Sequence, residues 1–154
     1  MKTYFAKIVS LLQVSSLALL GCLLLITSPA YSNNQLSFEQ LYGKYSVTGL
    51  EFSDKVKALS GKEVTIQGFM APPLKVESQF FVLTKAPMAI CPFCSSDADW
   101  PEDILVVYLK KRQSFVQFNT IIEVKGILEH GMFVDPDTGF VSMLRLREAT
   151  FNSL

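Results

Sequence analysis

Two cysteines stand two residues apart in the stretch "MAICPFCSSDADWP", Met88 to Pro101, with a dense group of acidic residues behind them. Three chemistries use such a pair. In a thiol–disulfide centre, Cys-x-x-Cys opens a helix inside a βαβ unit, where the helix dipole lowers the first thiol's pKa and makes it a nucleophile. In a metal site, two thiolates form half of the ligand set. A closed structural zinc site needs about two further protein ligands, whereas thiolates alone suit Cu(I). In a structural disulfide, the pair oxidises by default outside the cytoplasm, and so short a loop contributes only about 2 kcal/mol on the chain-entropy model.

The neighbours of the pair order these readings. Behind Cys94, "SSDADWPED" reads as a turn with at most one helical turn, stopped by Pro101. Asp97, Asp99, Glu102 and Asp103 oppose a thiolate and raise a thiol pKa, while the same charges attract cations. A disulfide between Cys91 and Cys94 is therefore the first expectation and a metal site the second. Asp97, Asp99 and His130, the only histidine, are the further candidate ligands, with zinc or copper as the metal. A thiol oxidoreductase acting through Cys91-Pro92-Phe93-Cys94 is the third reading and the only enzymatic one. No other catalytic or cofactor-binding set is expected, because one histidine and scattered acids make no hydrolase arrangement. His130 itself, beside Gly131 at a strand end, reads first as an ordinary surface histidine. The segment "DPDTG", Asp135 to Gly139, starts like a calcium loop, but Gly139 and the missing late glutamate break that pattern. It is read as a turn. Met88, Phe93 and Trp100 are expected to pin the cysteine loop to the domain.

Compartment decides which of these chemistries is open. Met1 to Lys7 carries two lysines and no acid, and Ile8 to Ser32 carries no charge. A basic start, an apolar stretch and the small-x-small ending Ala30-Tyr31-Ser32 are the parts of a secretory signal peptide, with cleavage expected after Ser32. Leu19 to Cys22 has the form of a lipobox, ranked lower because the apolar Leu23 to Ile26 follows. The apolar stretch also reaches the length of about 20 residues that spans a bilayer, so an uncleaved anchor is the remaining reading and the one expected tie to a membrane. All three place the rest of the chain outside the cytoplasm, in the periplasm. Of the 14 basic residues, Lys2 and Lys7 precede the cleavage point, which leaves 12 against 14 acidic ones. Nucleic-acid binders show a basic face, and none is expected here; Lys110-Lys111-Arg112 reads as a solvated turn.

The elements that position these residues follow from Asn33 onward, where a single domain is expected. Ser37 and Gln40 fit a capping box, and Phe38, Leu41 and Tyr45 recur at roughly helical spacing, interrupted by Gly43. Ser53-Asp54 starts a second helical turn, "SDKVKAL", that stops at Ser60-Gly61. "KEVTIQGFM" then alternates with the period of a half-buried strand, and Gly68 marks a bend or bulge. "QFFVLTK" and "DILVVYLKK" are short apolar runs of strand type. "IIEVKGILEHG" carries Gly126 as a second bend, and "FVSMLRLREATF" is the last strand. Val64, Ile66, Leu83, Val106 and Leu128 are the expected core, with Thr65 and Gln67 facing out. Five main strands, two of them bent, predict a mainly β fold. The first choice is a small OB-like five-stranded barrel with one or two short N-terminal helical turns; a small sandwich is second.

The run Leu59-x-Gly61-Lys62-x-Val64-x-Ile66-x-Gly68-Phe69-Met70-x-Pro72, then "FFVL", a cysteine-bearing segment and "DILVVYL", resembles an exported bacterial family, domain of unknown function 3299. The resemblance covers about Leu50 to Phe151. It implies an OB-like fold and, through the family's frequent neighbourhood with MacB-like ABC transporter genes, an accessory role in transport, in some members linked to zinc supply. Family members carry a cysteine after the second strand, often followed by His and prolines. Here Cys91-Pro92-Phe93-Cys94 has no nearby His, so a role resting on that His has no counterpart. Residues and resemblance together give the expectation of an exported periplasmic binding or accessory protein, assisting an ABC transport system for metal ions such as zinc or copper.

Overall fold

The computed structural model describes residues 34–46, 49–72, 79–89 and 100–154. These lie within one compact unit, Asn34–Leu154. The signal peptide expected over residues 1–32 lies outside the described residues. Among the described residues no helix is long and apolar enough to cross a membrane.

The chain begins with β1 (Gln35–Leu36), a 3-10 turn at Phe38–Gln40, the antiparallel pair β2 (Tyr42–Ser46) and β3 (Gly49–Phe52), and the helix α1 (Asp54–Leu59). Five longer strands follow: β4 (Glu63–Met70), β5 (Phe80–Thr84), β6 (Ile104–Leu109), β7 (Ile121–Val134) and β8 (Val141–Ser153). Helix α1 forms where its signals put it. Ser53 accepts from Val56 N at its start, and Val56 is its buried contact with the core. The expected helical run at Phe38, Leu41 and Tyr45 does not form. Only one 3-10 turn is made, and the chain enters β2 at Tyr42 because its backbone pairs with β3 from Tyr42↔Phe52 to Ser46↔Gly49. Two short helical turns therefore precede the barrel, as expected, but a small hairpin stands between them.

The five long strands close on themselves in the order β4-β5-β6-β8-β7 and back to β4. Every pairing is antiparallel except β6–β8, which is parallel. This is the expected OB-like barrel. The interior is filled from alternate positions: Val64, Ile66 and Met70 of β4, Phe81 and Leu83 of β5, Leu105 and Val107 of β6, Val124 and Leu128 of β7, and Leu144 and Leu146 of β8. Phe38, Leu41 and Val56 join them from the N-terminal segment. Gln67 is exposed and Thr65 half-exposed, so β4 is one-sided as its alternation predicts.

The two strand glycines act through space. β4 keeps an unbroken register with β7 from Glu63↔Ile127 to Phe69↔Ile121, so Gly68 makes no bulge there. A Cβ at Gly68 would lie 2.7 Å from Thr84 O and 3.0 Å from Leu83 Cγ and Phe38 Cε2, and only a residue without one admits that approach. At Gly126 the β7–β8 register does shift, between Lys125 and Ile127. The extra residue sits on β8, at Glu148 with φ 50°, and Gly126 leaves room opposite it for Leu146 and Ala149.

β5 and β6 are buried on both faces, as continuous apolar strands are when covered on both sides. Ala71, Val82 and Ile104 form a second, smaller cluster, against which Trp100 and Phe140 pack. Val106 is buried as expected, on the Ile104 face of β6.

Candidate functional site

β5 and β6 are antiparallel neighbours, paired from Phe80↔Tyr108 to Thr84↔Ile104. The segment 85–103, which carries both cysteines, therefore connects two antiparallel strands at one end of the barrel. Cys91, Cys94, Asp97 and Asp99 lie outside the described residues, as does Phe93. The frame that carries them is described.

The first end of this connection is fixed by three contacts. Thr84 is fully buried, and its Oγ1 lies 2.7 Å from Ala86 O and 3.2 Å from Phe69 O, so one hydroxyl proton serves two carbonyls. Lys85 N donates to Asp103 O at 3.0 Å, which closes the neck of the connection. Lys85 Nζ reaches Glu39 Oε1 at 2.9 Å across the surface. The hydrogen bond from Lys85, with backbone and Ser37 donors behind it, holds the Glu39 carboxyl down at about 2.

The second end is fixed by Trp100. Its Nε1 donates to Tyr42 Oη at 2.6 Å, and its ring packs on the core. Burial pushes the Tyr42 phenol up to about 12, with the charges of Glu102 and Asp103 adding to the effect. Those two carboxylates thus stand at the neck of the cysteine connection, where the sequence places an acidic neighbourhood. Tyr42 stacks on Phe52 at 5.4 Å, and Phe52 meets the His130 ring edge-on at 5.3 Å.

His130 is the one candidate ligand that is described. It sits on β7, half-buried, with Nδ1 3.0 Å from Ser60 Oγ. It belongs to the row Trp100–Tyr42–Phe52–His130, and two aromatic rings separate it from Trp100. Among the described residues no group of three His, Cys, Asp or Glu side chains converges as metal ligands would. The "DPDTG" segment is the expected turn: Asp135 Oδ1 accepts from Thr138 N at 2.9 Å and Thr138 Oγ1 at 2.7 Å, and Gly139 N donates to Asp135 O. Lys110, Lys111 and Arg112 are exposed at the end of β6. Sequence reasoning did not single out Glu39, Tyr42 or Lys85. Their contacts join distant parts of the chain, and spacing carries no sign of them.

A second cluster lies where β6 and β8 meet the β7–β8 hairpin. Arg145, nearly buried, donates from Nε to Glu129 Oε2 and from Nη1 to Gly131 O, both at 2.8 Å, and lies over the Phe133 ring at 4.8 Å. Arg147 lies over Tyr108 and Phe133, 4.9 Å from each ring centre. Each guanidinium is stacked on aromatic faces, an arrangement that suits its weakly hydrated plane. With Glu129 beside both arginines, the cluster reads as a structural tie.

No family model and no curated protein matches the chain. Among solved structures it is similar to the crystal structure of a DUF3299 family protein from Pseudomonas aeruginosa PAO1. The two share 16% identity and a TM-score of 0.52 over 78% of this chain and 95% of that one. A likeness at this identity shows a shared fold. The chain therefore resembles this DUF3299 family protein in its fold.

Proposed function

We propose that the protein is an exported binding module whose working part is the β5–β6 connection, and that it assists an envelope transport system, of the ABC class, handling a soft or borderline metal ion such as zinc or copper. The observation that carries this reading is the antiparallel Thr84↔Ile104 pair at the neck of the cysteine segment. A thioredoxin-type centre joins parallel strands through a helix whose N-terminus activates the first thiol. A hairpin connection rooted on a barrel supplies no such crossover. The charges of Glu102 and Asp103 at the neck act in the same direction, since they disfavour a thiolate unless a cation is present. Cys91 and Cys94 are the first ligands, with Asp97 and Asp99 beside them; His130 is at most a peripheral one. In the oxidised envelope the same pair closes a disulfide, and reduction makes the thiolates available.

The test pairs thiol titration with metal analysis on protein recovered from the periplasm, before and after reduction. The expected result is an oxidised pair that takes up Zn²⁺ or Cu(I) once reduced, with uptake lost in Cys91→Ser and little changed in His130→Ala. An isolated protein that oxidises reduced substrate proteins in turnover would overturn this reading in favour of a thiol oxidoreductase. A disulfide that takes up no metal after reduction would leave the pair a structural role.

A further inference from the structure

The distal part of the β7–β8 hairpin lies beyond the barrel wall. β7 pairs with β4 only as far as Ile127, and the β8 pairing with β6 begins at Arg145. Past those points the two strands pair with each other to Val134↔Val141, after a register shift between His130 and Phe133. Gly131 sits in that shift with φ +100°, a backbone conformation that other residues rarely adopt. The tip then covers the outer face of the barrel. Phe140 meets Phe80 at 5.5 Å and Phe133 meets Tyr108 at 5.8 Å, and Phe140 packs on the Ala71, Val82 and Ile104 cluster.

Two polar atoms are trapped under this cover. The Tyr108 hydroxyl and Ser142 Oγ are buried, and neither has a protein partner at good hydrogen-bond geometry. Asp135 and Ser142 both stand near the phenol and act on its ionisation as weak hydrogen-bonding neighbours, but neither makes a bond of good geometry with it. Buried hydroxyls without partners are uncommon because water would satisfy them. The closed position therefore combines favourable ring contacts with a poorly met polar demand that opening to solvent relieves.

We propose that residues 131–142 form a strap that opens as one unit about Gly131 and uncovers the apolar outer face of β5 and β6. The hinge is marked by the register shift and by Arg145, which holds Gly131 O from the barrel side. Opening releases Phe133 from Arg145, Arg147 and Tyr108, exposes Phe80, Val82 and Ile104, and hydrates Tyr108 and Ser142, while the five-stranded ring of hydrogen bonds stays closed.

Native-state hydrogen exchange followed residue by residue tests this. The hydrogen-bonded backbone amides between Phe133 and Ser142 are expected to share one opening free energy, smaller than that of the β4–β7 amides such as Ile66 and Val124. Tyr108→Phe removes one trapped hydroxyl and keeps the ring, so it should slow strap exchange, on the order of tenfold, and leave β4–β7 exchange as it was. Phe140→Ala should speed strap exchange by at least as much and raise binding of an apolar fluorescent dye. A smooth gradient of protection from the turn inward would show ordinary fraying and overturn the hinge. Exchange of the strap only with the whole barrel, or no slowing in Tyr108→Phe, would overturn the strap itself.

Discussion

Gly68→Ala tests whether the barrel is as tight as the register implies at the point where β5 leaves β4. The new Cβ would stand 2.7 Å from Thr84 O, against 3.4 Å or more for ordinary contact, with Leu83 Cγ and Phe38 Cε2 each at 3.0 Å. The two side chains can yield a few tenths of an ångström. The carbonyl cannot move alone, because β5 is hydrogen-bonded on its other edge to β6 at the same residue. Overpacking of this kind costs about 1–3 kcal/mol. The lower entropy of an unfolded chain with alanine returns about 0.4–1 kcal/mol. The net expectation is a loss of about 1–2 kcal/mol, seen in a domain of this size as a fall in Tm of roughly 3–8 °C. Thermal and urea unfolding followed by circular dichroism measure it. Gly43→Ala is the internal comparison, because its Cβ would meet nothing nearer than 3.7 Å and should be neutral or slightly stabilising. If Gly68→Ala melts with the wild type, the close approach of β5 to β4 is wrong.

The frame of the cysteine connection gives further expectations. Glu39 has a folded pKa of about 2 against the ordinary glutamate value of 4.5, so its contribution is complete above about pH 4.5 and is lost as the pH falls toward 2. Urea unfolding of wild type should therefore lose stability over that window faster than Glu39→Gln does; parallel curves would refute the pairing with Lys85. Tyr42→Phe leaves Trp100 Nε1 without its acceptor and should cost about 1 kcal/mol. Because Trp100 is the only tryptophan, the same variant should change the emission wavelength; an unchanged spectrum would argue against the contact. In the barrel, Ile66→Ala, Leu83→Ala or Leu128→Ala should cost on the order of 2–4 kcal/mol, with less for Val64, whereas Thr65→Ala and Gln67→Ala should be tolerated. Equal losses on both sides of β4 would contradict its one-sided burial.

The parts of the fold that were legible are those whose side chains alternate. In β4, Val64 and Ile66 point in and Gln67 points out, and that period is present in any reading of the letters. The hairpin β2–β3 was hidden for a matching reason. Phe38 and Leu41 are three apart, as on a helix, and both do enter the core, but from a 3-10 turn that ends after three residues. Spacing reports which side chains go inward, not which backbone carries them there. The cover over β5 and β6 had a signal of its own. "ILVVYL" and "FFVLT" are continuous apolar runs, and a strand wet on one face would alternate. What covers them could not be read, since Phe140 comes from a hairpin whose return depends on a bulge at Gly131.

The cysteine pair was legible as a chemical type, and its surroundings only in part. The acidic residues behind Cys94 are visible as letters, and Glu102 and Asp103 do stand at the neck. The contacts that hold the two ends of the connection are not local: Lys85 is met by Glu39, and Trp100 by Tyr42. Both partners come from one short stretch, residues 37–42, whose other side chains Phe38 and Leu41 are buried in the barrel. The alternation within that stretch has a physical consequence. Apolar residues anchor it in the core, while Glu39 and Tyr42, between and after them, grip the two ends of the connection. The geometry at the neck is thereby coupled to barrel packing, so a defect near Phe38, including one introduced at Gly68, should reach the cysteine segment without touching it.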